Sequence, residues 1–170
     1  ARVRDGQPPI WSNDPRMAEA YKRASQLGNV TATFSDHAYA CADVVVVDVN
    51  LDIAKSSDDV GGYAFSYDAY VRAIEVVARS VTEDTLVVIE TTVPPGTTHN
   101  VIRPIFAKAF AERKLDARRL FLTHSYERVM PGVRYLESIT NFYRVFAGIN
   151  EASSSRARTF QGRSTRNRRI

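Results

Sequence analysis

The stretch that decides the fold is Thr85-Leu86-Val87-Val88-Ile89-Glu90-Thr91-Thr92-Val93-Pro94-Pro95-Gly96-Thr97-Thr98. Its first half is an unbroken apolar run, the pattern of a strand buried on both faces of a parallel sheet. Its second half cannot continue that strand. Pro94 and Pro95 fix φ and lack an N–H, so the chain must leave the sheet along a stiff path. Gly96 permits close backbone approach, and the hydroxyls of Thr91, Thr92, Thr97 and Thr98 supply donors and acceptors. Taken alone, the segment suits a rigid turn with helix-capping threonines as well as it suits a ligand-binding loop.

Working outward, Val44-Val45-Val46-Val47 is a second buried run, ending in the polar loop Asp48–Asp52. The two runs predict a mainly parallel sheet of about five strands, with 44–48 and 85–90 next to its centre. Between them, Tyr70, Val71, Ile74, Val77 and Ala78 recur at helical spacing, which predicts a helix over 67–81. The polar, glycine-containing residues 54–66 read as a surface loop. Upstream, Asn13-Asp14-Pro15 is a cap and first turn for a helix through Leu27, stopped by Gly28-Asn29. Val30 to Phe34 reads as a short strand, and Ser35-Asp36 as the cap of a brief helix through Cys41. Downstream, Thr98 or Asn100 opens a helix through Ile102, Ile105, Phe106 and Phe110. Strands follow at 120–123 and 143–147. Alternating strands and helices make this a doubly wound α/β chain.

The 170 residues suffice for one core, and 44% hydrophobic with 25% charged residues is ordinary globular composition. No apolar run approaches a membrane span, no secretory h-region is present, and a single cysteine excludes an internal disulfide. The expected location is therefore the cytoplasm. The net charge of +4 is unevenly spread: residues 153–170 hold six arginines and no acid, and without those six the remainder stands at −2. That segment reads as a basic, disordered tail, with nucleic acid an unfavoured partner. His37, His99 and His124 lack metal-ligand spacing, so no metal is expected.

Ligands of open parallel sheets sit beyond the carboxyl ends of the strands. Three polar segments fall there: Asp48–Asp52, Glu90–Thr98 and His124–Gly132. The third, HSYERVMPG, puts Glu127 just past a strand, where a carboxylate can serve as a general base or simply pair with Arg128 on the surface.

The order ETTVPPGTT, then SYERVMPG about 30 residues on, resembles the paired signatures of the UDP-glucose/GDP-mannose dehydrogenase family. PPI, ADVVVVDVN and YRVFAG flank them in matching positions, so the resemblance spans roughly residues 7–152, with the bacterial UDP-N-acetylhexosamine group the nearest in flavour. It implies a Rossmann-like NAD-binding domain and oxidation of a nucleotide-sugar primary alcohol to a uronic acid, through a thioester on a cysteine. Thr92 matches the threonine that holds water and cofactor near the reacting carbon, with Thr91 beside it among the cofactor contacts. Glu127 matches the general base of the hydrolytic half. Pro94 and Gly96 match the turn that brings backbone against the cofactor. VDVNLD departs from the family's VPTP loop, and Asn50 is the candidate replacement.

The resemblance also marks what the chain does not carry. No GxGxxG occurs, so the domain is expected to lack its first βα unit and with it a helix N-terminus for the pyrophosphate. The downstream sugar-nucleotide domain, with its lysine, asparagine and nucleophilic cysteine, is also unmatched, and Cys41 reads as a small hydrophobe rather than a substitute. The chain alone is therefore expected to be inactive. Homo-oligomerisation or further chain segments would complete the sheet. The alternative is a truncated paralogue acting as a binding or assembly module.

Overall fold

The four-valine run folds as strand β1, Val44–Val47, and the decisive stretch as β4, Leu86–Ile89, paired in parallel with Val44 opposite Leu86 and Val47 opposite Ile89. The computed structural model describes residues 2–3, 5–51, 53–55, 63–65, 67–127 and 129–164. On the other side of β4 lies β5, Phe121–Ser125, also parallel, and beyond it β6, Phe146–Gly148, antiparallel. The sheet order is β1-β4-β5-β6, and it is mainly parallel as expected.

Only β4 matches the expectation of a strand buried on both faces: all four of its residues are buried. Strand β1 lies at the edge of the described sheet, not next to its centre, and Val46 is 45% exposed while Val45 and Val47 are buried. A continuous apolar run reports affinity for a sheet, but position within it is set by which neighbours pair. The sheet has four described strands rather than about five.

Helices α3, Asp68–Ser80, and α4, Arg103–Glu112, cover one face. Tyr70, Ile74, Val77 and Ala78 of α3 meet Ile102, Phe106, Ala109 and Phe110 over Val45, Val47, Val87, Ile89 and Leu122. Full burial of Phe106 and Phe110 contributes roughly 1.5–3 kcal/mol each. Thr123 points to the opposite face, where its hydroxyl reaches the Ser153 carbonyl of α6, Glu151–Ser164.

Helix α6 overturns the expected tail over 153–164; residues 165–170 lie outside the described ones. Ser153, Ala157 and Gln161 are buried at a four-residue spacing, while Arg156 and Arg158 stay exposed. Composition hid this because the buried stripe is made of small and polar residues. Arg156 lies 4.0 Å over the Phe121 ring and donates to the Asp84 carbonyl.

Two shorter expectations fail for the same reason, the absence of a visible period. Residues 54–66 are not simply a loop: β2, Ile53–Lys55, and β3, Tyr63–Phe65, pair antiparallel, and the residues between them lie outside the described ones. Three-residue strands are too short to show alternation. Conversely, residues 30–34 form no strand, and Phe34 is fully exposed. β-propensity without a ladder partner does not make a strand. Strand 143–147 is displaced to β6, and a helix that was not expected, α5, Tyr135–Asn141, precedes it.

The chain forms two compact units, residues 36–127 with 145–159, and residues 1–35 with 128–144 and 160–170. In the second unit α1, Pro15–Gln26, begins where the sequence places it, with Asp14 as cap and Pro15 in the first turn. Helix α2, His37–Ala40, also follows its expected Asp36 cap, although that side chain makes no capping bond.

Candidate functional site

The rim beyond β1, β4 and β5 is built from the top of the sheet outward. Glu90 and Thr91 both direct their backbone N–H groups to the Val47 carbonyl, at 2.8 and 3.2 Å. The Thr91 hydroxyl then accepts the Val49 N–H at 2.9 Å and donates to the Val49 carbonyl at 2.9 Å. Thr91 is buried, so this side chain is turned into the structure, where it locks the exit loop of β1 against the end of β4. The two flanking candidates remain outside: Asn50 and Thr92 are exposed.

Pro94 and Pro95 lead into a tight turn in which Thr97 N–H returns to the Pro94 carbonyl at 3.1 Å. Gly96 has φ +86°, where an L side chain is strained, and an added Cβ would stand 3.0 Å from Asn100 Nδ2. The buried Thr97 hydroxyl lies 3.4 Å from the Tyr67 hydroxyl. A π-helical turn, Thr98–Ile102, follows directly and merges into α4. Such turns inside helices occur frequently at functional sites.

Strand β5 carries the other half. Parallel register sets Ile89 opposite His124, so Thr92 and Glu127 each stand three residues past one matched pair. Glu127 is half-buried. Arg128, the surface partner considered for it, lies outside the described residues.

A hollow of about 370 Å³ lies between the proline turn and the last strands, lined among others by Pro94, Gly96, His99, His124 and Tyr126. Burial pulls the His124 imidazole below its ordinary pKa. The sequence places His124 and Tyr126 in a rim segment but marks neither as a site residue, although alternation along β5 was the available signal. It places Leu122 and His124 on one face and Thr123 and Ser125 on the other. A second hollow of about 370 Å³ lies in the other unit, lined by Met130, Pro131, Gly132, Val133, Arg134, Glu137, Ser138 and Phe142. The PG half of the HSYERVMPG signature thus lines a space of its own.

These residues fit one wall of a dinucleotide site: neutral hydroxyl and amide groups at adjacent parallel strand ends, beside a turn whose glycine leaves backbone accessible. Among the described residues there is no group of three or more metal-ligating side chains, and no helix is long and apolar enough to cross a membrane.

Several known proteins resemble this chain. UDP-N-acetyl-D-mannosamine dehydrogenase of Pyrococcus horikoshii is 28% identical over 144 residues, covering 85% of this chain and 32% of that protein. The enzyme of the same name from Methanocaldococcus jannaschii is 33% identical over 87 residues, 51% of this chain and 18% of its own. Among solved structures, NDP-N-acetyl-D-galactosaminuronic acid dehydrogenase from Methanosarcina mazei Go1 matches with a TM-score of 0.82 at 24% identity, over 96% of this chain and 33% of that one. That last likeness establishes the fold. The chain thus spans about a third of the length of the first of these relatives and of the solved structure. The model of the UDP-glucose/GDP-mannose dehydrogenase family's NAD binding domain matches residues 1–161, and its cofactor is NAD: the chain belongs to that family.

Proposed function

We propose that the chain is part of an NAD-dependent dehydrogenase that oxidises the primary alcohol of a UDP-sugar to a uronic acid, in the cytoplasm, for polysaccharide biosynthesis. What supports this reading is the match of residues 1–161 to the family's NAD binding domain, with the loops that carry Thr92 and Glu127 following two adjacent parallel strands. NAD, when bound, supplies the hydride acceptor. The chain's own residues supply placement. Asn50 and the exposed Thr92 offer hydrogen bonds to cofactor and water, and the Pro94–Gly96 turn brings backbone up to the same wall. Thr91 acts from beneath by fixing the loop that carries Asn50. Glu127 accepts the proton of the attacking water in the hydrolytic half of the reaction. The covalent step belongs to residues outside this chain.

The test uses two samples. The 170-residue chain should bind NAD weakly by calorimetry and form no NADH from UDP-sugars. A longer protein carrying the same residues should form NADH from a UDP-N-acetylhexosamine. Absence of NADH from that longer protein, with cofactor bound, overturns the reading.

A second reading, an assembly module, is favoured by one observation. Strand β1 has a hydrogen-bonded neighbour on one side only among the described residues, with Val46 exposed. Open parallel edges of this kind pair readily with another strand. Light scattering of the chain alone tests it: a monomer overturns the module, whereas a stable oligomer fits both readings.

A further inference from the structure

We propose that Tyr70 is a positioning residue for the loop after β1: its buried hydroxyl donates to Thr91, which holds Val49 and with it the loop that presents Asn50. This rests on the reading of Asn50 as a cofactor contact.

Three observations support it. Tyr70 is only 1% exposed, set among Val47, Ile74, Ile89 and Phe106 of the core, and its hydroxyl is buried with no hydrogen bond among the described residues. A donor left unpaired at such a place is costly, and a plain apolar ring would fill the same space without that cost. Next, the Thr91 hydroxyl has accepting capacity to spare. Its proton serves the Val49 carbonyl at 2.9 Å, with the Val47 carbonyl further off at 3.4 Å, and one lone pair takes the Val49 N–H at 2.9 Å. A hydroxyl oxygen carries a second lone pair. Finally, helix α3 already lies against this segment. Tyr67, at the start of the helix, has its hydroxyl 3.4 Å from that of Thr97, and Tyr70 follows on the same face at the i,i+3 spacing.

The Tyr70 and Thr91 hydroxyls are neighbours. Burial raises the Tyr70 phenol to about 12, against the opposing pull of the Thr91 hydroxyl. The phenol therefore keeps its proton through the neutral range. Because the Thr91 proton is committed to Val49, the phenol is the donor of the pair. A hydroxyl that accepts one bond donates the next more strongly, so the phenol tightens Thr91 on the Val49 carbonyl. The chain of bonds runs from a core helix to the residue before Asn50.

Hydrogen exchange of the backbone amides in the 170-residue chain tests this without any turnover. Tyr70→Phe keeps the ring and its packing and removes only the hydroxyl. The expected result is a loss of Val49 amide protection of about two- to tenfold, the range of one net hydrogen bond. The Leu86 amide, which donates to the Asp43 carbonyl at the opposite end of the same strand pair, should keep its protection. In a Thr91→Val background, Tyr70→Phe should change Val49 no further, because the phenol acts through Thr91. The proposal is overturned if Tyr70→Phe leaves Val49 protection unchanged or raises it, which is how an unpaired phenol behaves. It is equally overturned if Val49 and Leu86 lose protection together, or if Val49 loses more in the Thr91→Val background. Should Thr91→Val fail to fold, the two amides of Tyr70→Phe decide alone. In a longer protein carrying the same residues, calorimetry should show NAD bound about two- to tenfold more weakly by Tyr70→Phe. Lost Val49 protection with NAD affinity unchanged would overturn instead the reading of Asn50 as a cofactor contact.

Discussion

The Thr91 hydroxyl accepts the Val49 N–H and donates to the Val49 carbonyl, while the next residue, Thr92, faces solvent. Two neighbouring threonines therefore predict opposite mutant behaviour. Thr91→Val strands a buried N–H and carbonyl, and should lower unfolding free energy by about 1–3 kcal/mol, read by urea titration. Thr92→Ala should leave that titration unchanged, because its hydroxyl supports no part of the fold. In a longer, active protein, Thr92→Ala removes a hydrogen bond of about 1.5–3 kcal/mol to a charged or reacting group. Glu127→Gln there removes a general base, on the order of 10²–10⁴-fold in rate, and should let the covalent intermediate accumulate. Mass spectrometry of the stalled protein shows the adduct. Normal turnover without adduct would assign Glu127 to surface pairing. Sequence supplied both threonines as candidates but could not divide them, since only the fold shows which hydroxyl turns inward.

At the level of elements, the junction between β6 and α6 is closely packed. A Cβ on Gly148 would meet Ser154 N at 2.5 Å and Ser153 Cβ at 2.7 Å. Gly148→Ala therefore has to push α6 from the sheet, and should cost about 1–3 kcal/mol, as overpacking does. Protection of the Leu122 amide, which donates to Ser153 Oγ at 3.3 Å, should fall in hydrogen exchange. Unchanged protection would show that the helix start can yield. Arg156 clamps the same helix from further along, over Phe121. Because that arginine is exposed, Arg156→Ala should cost only about 0.5–1 kcal/mol, measurable as a small shift in the thermal midpoint. None of this contact was visible in the arginine count of the terminal segment, which pointed instead toward disorder. Charge content describes the outward side of a helix, and the inward side here is Ser153, Ala157 and Gln161.

At the scale of the whole molecule, one carboxylate ties two segments of the unit built from residues 1–35, 128–144 and 160–170. Asp14 caps α1, holds the Arg16 guanidinium at 3.0 Å through each oxygen, and accepts the Leu136 N–H at 3.0 Å. The Arg16 hydrogen bond, helped by the backbone donors of Leu136 and Arg16, draws its pKa down from 3.8 to about 2. A depressed carboxylate contributes stability that is present above its unfolded pKa and lost as pH falls through the folded one. This contribution should hold above about pH 4 and disappear on approach to pH 2. Hydrogen exchange at the Leu136 amide checks it: protection should decline through that window, and Asp14→Asn should weaken protection at neutral pH as well. An acid response of Leu136 identical in the Asn variant would assign the loss to other groups.

Sequence by itself determined the elements whose cause is local. The helix over 67–81, the Asp14-Pro15 start of α1, the strand at 86–89 and its proline exit all follow from period, capping and fixed φ, and all are present. It also determined the family, because the paired signatures are order and spacing along the chain. Tertiary structure alone decided what depends on neighbours distant in sequence. It put Val44–Val47 at the edge of the described sheet, paired the brief β2 and β3, and left Val30–Phe34 without a ladder. It turned Thr91 inward and packed an arginine-rich segment against the sheet. Each of these is a pairing or burial event whose free energy arises only when two remote segments meet, so no window along one segment contains it.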